Sequence, residues 1–237
     1  VGRRAAERTL ARLNPAKAPT GQMPVIFDRR VSASLIGHLL GAITGSAIAR
    51  KTSFVLGHEK DPLFSSDIIV RDDPHRQRGL RSRAFDAEGL PTGPRAIVDK
   101  GMLTGWLVDS ASGRQLGLAP TGHASRGSSG PPGVSTSNLW LEPGSQTPEQ
   151  LMSDIKDGLY INELIGMGVN LLTGDYSRGA GGFRIRNGQL AEPVTEATIA
   201  GHLRDMFKAL IPANDLEFRH ATDAPTIRVD GMTVAGQ

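Results

Sequence analysis

The chain has 237 residues, 22% of them charged and 38% hydrophobic, with a net charge of +3 and no cysteine. That length supports a sizeable core as one large domain or two small ones, and the missing cysteines exclude disulfides and thiolate chemistry, which fits a reducing compartment such as the cytoplasm. Residues 1–30 hold seven Lys/Arg against Glu7 and Asp28, a net +5, so residues 31–237 sum to −2. This is the reverse of a nucleic-acid binder, which concentrates positive charge on its folded body.

Residues 3–13 read as a short amphipathic helix with Ala6, Leu10 and Leu13 on one side, stopped by Asn14-Pro15. The chain opens on Val1-Gly2-Arg3-Arg4 without methionine and without a secretory pattern. Residues 1–22 are therefore expected to be a helix and connector from a preceding domain, and 23–237 the domain proper. After a strand at Pro24-Val25-Ile26-Phe27-Asp28, residues 34–49 predict one helix. In it Gly37, Gly41 and Gly45 recur every four residues. Each glycine costs about 1 kcal/mol against alanine in a helix interior, so a flat face for close packing is expected. The apolar run 35–49 contains His38, Thr44 and Ser46 and is shorter than the roughly 20 residues a membrane span needs.

Farther along, Asp67-Ile68-Ile69-Val70 is the one clear strand of a loop-rich stretch, 60–95. Three hairpins follow: residues 95–98 with 102–108 around Asp99-Lys100-Gly101, 183–186 with 189–191 around Asn187-Gly188, and 226–229 with 232–235 around Asp230-Gly231. Thr147-Pro148-Glu149-Gln150 is an N-cap with proline in the first turn and a capping-box glutamine, opening a helix that Gly158 ends. Residues 196–210 place Ile199, Leu203, Met206 and Leu210 on one helical stripe. Residues 121–137 form a Gly/Ser/Pro-rich loop. The class is α+β, a mostly antiparallel, hairpin-rich sheet, open or barrel-like, carrying about four helices.

The chemistry is sparse. A helical zinc site of the H-E-x-x-H kind needs two imidazoles one turn apart and a carboxylate for the bound water. The 34–49 helix offers His38 alone, with Gly41 and Ala42 one turn on and no acidic residue between Asp28 and Glu59. His58-Glu59 is followed by Pro62 where a second ligand would stand, and proline breaks the helix that would align it. Ser125 and Ser177 lack the glycine two residues earlier that a nucleophile elbow requires. The glycine-rich stretch 173–182 lacks the lysine of a phosphate-binding loop, but Arg178 with nearby backbone amides suits a peptide carboxylate or acidic groups of a partner. Arg71, Arg76, Arg78, Arg81 and Arg83 are interleaved with acids, as in internal ion pairs or a polar interface. Glu142, Asp175 and Glu217 are acidic candidates for a displaced general base, and no spacing singles one out.

Ordered motifs along nearly the whole chain carry a resemblance. They include Gly37-His38-Leu39-Leu40-Gly41-Ala42-Ile43, Arg50-Lys51-Thr52-Ser53-Phe54, Gly79-Leu80-Arg81-Ser82-Arg83-Ala84-Phe85-Asp86 and Gly122-His123-Ala124-Ser125-Arg126-Gly127. Gly158-Leu159-Tyr160, Gly166-Met167-Gly168-Val169-Asn170, Thr173-Gly174-Asp175-Tyr176-Ser177-Arg178-Gly179 and Pro212-Ala213-Asn214-Asp215-Leu216-Glu217-Phe218 continue the series. The chain resembles the TldD/PmbA family on its PmbA (TldE) side, in the C-terminal region of such proteins. The resemblance implies a cytoplasmic peptidase in which the TldD-type chain carries an H-E-x-x-x-H helix and a cysteine ligand. This chain has neither, so it is expected to be the metal-free partner, with zinc in the other subunit and unfolded peptide as substrate.

Isolated, the chain is expected to be able to form a homodimer, with no nucleic acid and no membrane as partner. Three other readings stay open: a self-sufficient metallopeptidase with ligands outside this stretch, a protein-binding modulator of DNA gyrase, the role the family's older name implies, and a homodimeric remnant with a structural role. Candidate substrate or interface residues are His38, Arg50, Lys51, His123, Arg126, Asp175 and Arg178; no residue of this chain is expected to ligate metal or to be catalytic.

Overall fold

Strand parity organises the core. In the computed structural model, which describes residues 2–236, Val25 and Phe27 point into one buried cluster and Ile26 between them into another. That is the period-two alternation of a strand buried on both faces. The strand is β2 (Gly21–Phe27), preceded by α1 (Gly2–Leu10) and the short β1 (Ala16–Lys17). After it come α2 (Arg29–Ala42), α3 (Gly45–Ala49), β3 (Val70–Asp72), β4 (Arg95–Asp99), β5 (Met102–Leu103) and α4 (Ser110–Leu116). The middle of the chain adds β6 (Ala124–Ser125), β7 (Gly133–Val134), β8 (Leu139–Leu141), α5 (Pro148–Met152) and β9 (Asp157–Ile165). Two long strands, β10 (Asp175–Arg186) and β11 (Gln189–His202), lead to α6 (Leu203–Lys208), β12 (Leu210–Pro212), β13 (Thr222–Asp223) and β14 (Ile227–Ala235).

The main sheet runs β1-β11-β10-β9-β2-β14-β12, and β14 also bonds to β11, so five strands close into a barrel. Closure uses Thr198↔Ala235, Ile199↔Val234 and Ala200↔Thr233, while the first half of β14 pairs with β12 through Leu210↔Val229 and Pro212↔Ile227. Val25, Phe27, Leu159, Ile161, Ile199, Val229 and Val234, among others, share one core with Leu35, Ile36 and Leu39 of α2. A smaller cluster of Ile26, Leu151, Met152, Ile155, Ile185 and Ala213 lies under α5 on the other side. A second sheet, β13-β8-β3-β4-β5, joins the main core through Val70, Val98 and Leu141.

The α+β class and the barrel-like sheet are as expected, and six helices stand where about four were expected. The Asn187-Gly188 hairpin is present, with positive φ at both residues. So is the hairpin of β4 and β5, although its second strand is two residues long. The Thr147/Gln150 capping box holds α5, which ends at Met152, well before Gly158. The loop at 121–137 contains the small β6–β7 pair.

Five expectations fail. The strand read at 67–70 forms later, at β3. The helix read at 34–49 is two helices: Thr44 caps α3, and the Gly45 amide donates to the Leu107 carbonyl at 2.7 Å. Its glycines do not make one close-packed face either. A Cβ at Gly41 would come within 2.8 Å of Leu171 Cδ1, one at Gly45 would strike Ser112, and one at Gly37 would meet open space.

Residues 196–202, read as helix, finish β11 instead. Ile199 is held between Arg178 on one side and Val234 on the other, and only Leu203–Lys208 are helical. Asp230-Gly231 is no hairpin turn. β14 passes straight through it, with a register shift between Val229↔Val25 and Met232↔Met23, and Gly231 supplies the positive φ of the bulge.

At Gly182, where β10 shifts register against β9, a Cβ would land on the Tyr160 carbonyl. Gly182→Ala is expected to lower stability by about 1–3 kcal/mol in urea unfolding. Gly37→Ala, on an open helical face, is expected to raise it by about 0.5–1 kcal/mol in the same assay.

Candidate functional site

Tyr176 and Arg178 stand two residues apart on β10, so their side chains leave the same face of the sheet. The facing element is α2, on which the His38 ring meets the Tyr176 ring edge-on, centroids 5.9 Å apart. Tyr176 is 1% exposed, and His38 and Arg178 are half-buried. His38 Nε2, Tyr176 Oη and Arg178 Nε are all buried and lack any hydrogen-bond partner among the described residues. Such orphans are uncommon, and each costs about 1–3 kcal/mol.

Burial lowers the His38 imidazole below its ordinary value of 6.5, and the Arg178 charge lowers it further. The Tyr176 phenol is driven up by burial, an effect that Arg178 partly opposes. At neutral pH the site therefore holds one positive charge, a neutral imidazole and a neutral phenol.

The loop 166–174 borders this cluster. Ser177 N–H donates to the Gly168 carbonyl at 2.7 Å, and Asn170 N–H to the Asp175 carbonyl at 2.9 Å. The Leu171 carbonyl accepts from Phe54 N–H at 2.8 Å, and the Leu171 side chain rests against Gly41. His202 Nε2 lies 2.8 Å from the Thr173 carbonyl oxygen, fastening the loop to the end of β11. Met167 at its apex is 88% exposed.

Of the sequence-derived candidates, only His38 and Arg178 come together. Asp175 points away from Tyr176 and accepts from the Thr173 hydroxyl at 2.6 Å. Arg50 and Lys51 are exposed at the end of α3, and Arg126 is exposed in the 126–132 stretch. His123 is 3% exposed, in a buried chain of hydrogen bonds. Its Nδ1 faces Thr121 Oγ1 at 2.9 Å and its Nε2 faces Asp72 at 3.2 Å, while Asp72 accepts from Ser137 Oγ at 2.7 Å and Ser137 N at 2.9 Å. A nucleophilic triad places histidine between serine and carboxylate. Here the carboxylate is in the middle, so the network braces loops and does not activate Ser137.

The arginine cluster also divides. Arg71 pairs with Glu142 at 2.6 Å, Arg76 sits 3.7 Å over the Phe218 ring, and Arg83 donates to the Ser135 carbonyl at 2.9 Å. Tyr176 was missed because 173–182 reads as a loop. Taken as a strand, the i, i+2 spacing of Tyr176 and Arg178 puts them on one face.

Zinc does not fit these residues. Among the described residues no group of three or more His, Cys, Asp and Glu is arranged to hold a metal ion. The imidazole that α2 offers lies near a guanidinium, whose charge opposes a cation. No helix among those residues is long and apolar enough to cross a membrane.

Residues 20–236 match the model of the PmbA/TldA metallopeptidase C-terminal domain, and the chain belongs to that family. It is 41% identical over its whole length to the metalloprotease PmbA of Escherichia coli O157:H7, of which it spans 51%. The crystal structure of a Bacteroides thetaiotaomicron protein described as a candidate modulator of DNA gyrase matches with a TM-score of 0.90 at 29% identity, covering 100% of this chain and 52% of that one. TldE from Thermococcus kodakarensis shares the fold, with a TM-score of 0.87 at 23% identity over 99% of this chain and 55% of that one. The chain spans about half the length of these relatives.

Because His38 has a lowered pKa, the unfolded chain takes up its proton first as pH falls below 6.5. Stability therefore drops there and levels off once the folded imidazole also protonates. His38→Gln is expected to flatten this part of the stability–pH curve, and Arg178→Gln to raise the His38 titration midpoint seen by NMR. Asp72→Ala, which strands two serine donors and His123, is expected to cost at least about 3 kcal/mol in denaturant unfolding.

Proposed function

We propose that this chain belongs to the metal-free partner subunit of a TldD/TldE-type zinc metallopeptidase that acts on unfolded peptides in the cytoplasm. The observation that carries this reading is the α2 face. Where a zinc helix would need paired imidazoles and a carboxylate, α2 has His38 alone, near the charge of Arg178. In this account the ion, its water and the general base belong to a TldD-type subunit. This chain supplies interface and walls of the substrate chamber.

The closed barrel supports that division of labour. Its five strands are bonded on both sides, which leaves β1 and β12 as outer strands of the main sheet. Free backbone groups at such edges can add an extended peptide without reading its sequence. Arg178, one of the sequence-derived candidates, is then a substrate-facing group. The description of the Bacteroides relative as a candidate modulator of DNA gyrase supports a second reading, binding to a protein target. The −2 balance of residues 31–237 disfavours direct DNA contact in either case.

The test is peptide hydrolysis by the full-length protein, alone and mixed with a TldD-type partner, with zinc counted per chain. Cleavage and zinc are expected only in the mixture, with the metal on the partner. Zinc-dependent cleavage by the full-length protein alone would overturn the proposal.

A further inference from the structure

We infer that His38, Tyr176 and Arg178 form a receptor for one carboxylate, the C-terminus of a bound peptide. The inference rests on the peptide-handling function proposed above and adds the part of the substrate that this chain holds. Three polar atoms from two packed elements are buried without partners, one of them on a side chain that is 1% exposed. Arg178 makes no ion pair with any described residue, whereas Arg71, Arg184 and Arg228 each do. An unpaired guanidinium beside two further hydrogen-bonding groups is a site for an anion.

The charge count selects the anion. A carboxylate brings one negative charge to match one guanidinium. It also has lone pairs enough for Arg178 N–H, Tyr176 O–H and, in the right tautomer, His38 Nε2–H. A phosphate dianion would leave a net negative charge in a largely buried place.

The surroundings suit a peptide. Val169, half-buried, bridges to Tyr176 and so leaves the sheet on the same face, and Met167, two positions before it, is 88% exposed. Together they offer apolar surface for the side chains that precede a terminal carboxylate. Gly37, beside His38 on α2, leaves open space where a Cβ would project.

The experiment is titration calorimetry on the full-length protein with acetyl-Ala-Ala-Leu, its C-terminal amide, an amidated peptide of the same length containing one glutamate, and inorganic phosphate. The free acid is expected to bind about tenfold or more tightly than its amide, since hydrogen bonds to charged groups are worth about 1.5–3 kcal/mol. Tyr176→Phe, which keeps the ring against His38, and Arg178→Gln are each expected to remove most of that preference. Equal binding of acid and amide by the unaltered protein, or a preference that survives both substitutions, would overturn the inference. So would phosphate, or the glutamate peptide, binding as tightly as the free acid. None of these outcomes bears on the hydrolysis and zinc count of the two-protein mixture, so the two proposals fail separately.

Discussion

The bulge at Asp230-Gly231 is the constraint on which the rest of the architecture depends. β14 must follow β2 along nearly its whole length, yet give its first half to β12 and its second half to β11. A straight nine-residue strand cannot turn from one neighbour to the other without a local kink, and an extra residue with a left-handed glycine supplies it. Once β14 reaches β11, the sheet has no free edge between them. The inward residues of five strands then share one core with α2. Everything at the candidate site follows from that closure. α2 is pressed on a finished wall, and Tyr176 and Arg178 stand on one face of that wall, with the Tyr176 ring against His38.

The same wall explains why the site is electrostatically unlike a metal centre. A zinc site needs neutral imidazoles and carboxylates facing a common point. Here a half-buried imidazole meets a buried phenol edge-on, and a guanidinium leaves the same face of β10 as the phenol, with no acid among the side chains of the cluster. Burial keeps the imidazole and the phenol neutral, so Arg178 sets the field alone. The histidine-bearing helix survives as a packing element of the barrel, and the chemistry it can support is recognition of negative charge. The buried Asp72–His123–Ser137 chain is the contrasting case: its hydrogen bonds are satisfied internally, which marks it as structure.

Local chemistry was legible where it decides the outcome by itself. Asn187-Gly188 names its turn because both residues must take positive φ, and Thr147 with Gln150 names a helix start because the two side chains cap each other. Distant pairing was not legible. Ile199, Leu203, Met206 and Leu210 satisfy a helical stripe, but Ile199 belongs to a strand flanked by β10 and β14, whose partners lie 21 and 35 positions away in register. Asp230-Gly231 has the composition of a turn and becomes a bulge because β2 bonds on both sides of it. His38 and Arg178 were visible as residues worth testing, while their meeting depends on the packing of α2 against β10. Tyr176 was hidden for the plainest reason, the parity of a strand whose start was placed too late.

The most direct test puts Arg178→Gln into the full-length protein, mixes it with an unaltered TldD-type partner, and follows hydrolysis of peptides with free and amidated C-termini. The account predicts that KM for free-acid peptides rises about tenfold while kcat and the partner's zinc content hold, because this chain positions substrate and the partner carries the chemistry. Amidated peptides should lose little. An unchanged KM for the free-acid peptides, or a collapse of kcat with loss of zinc, would contradict it.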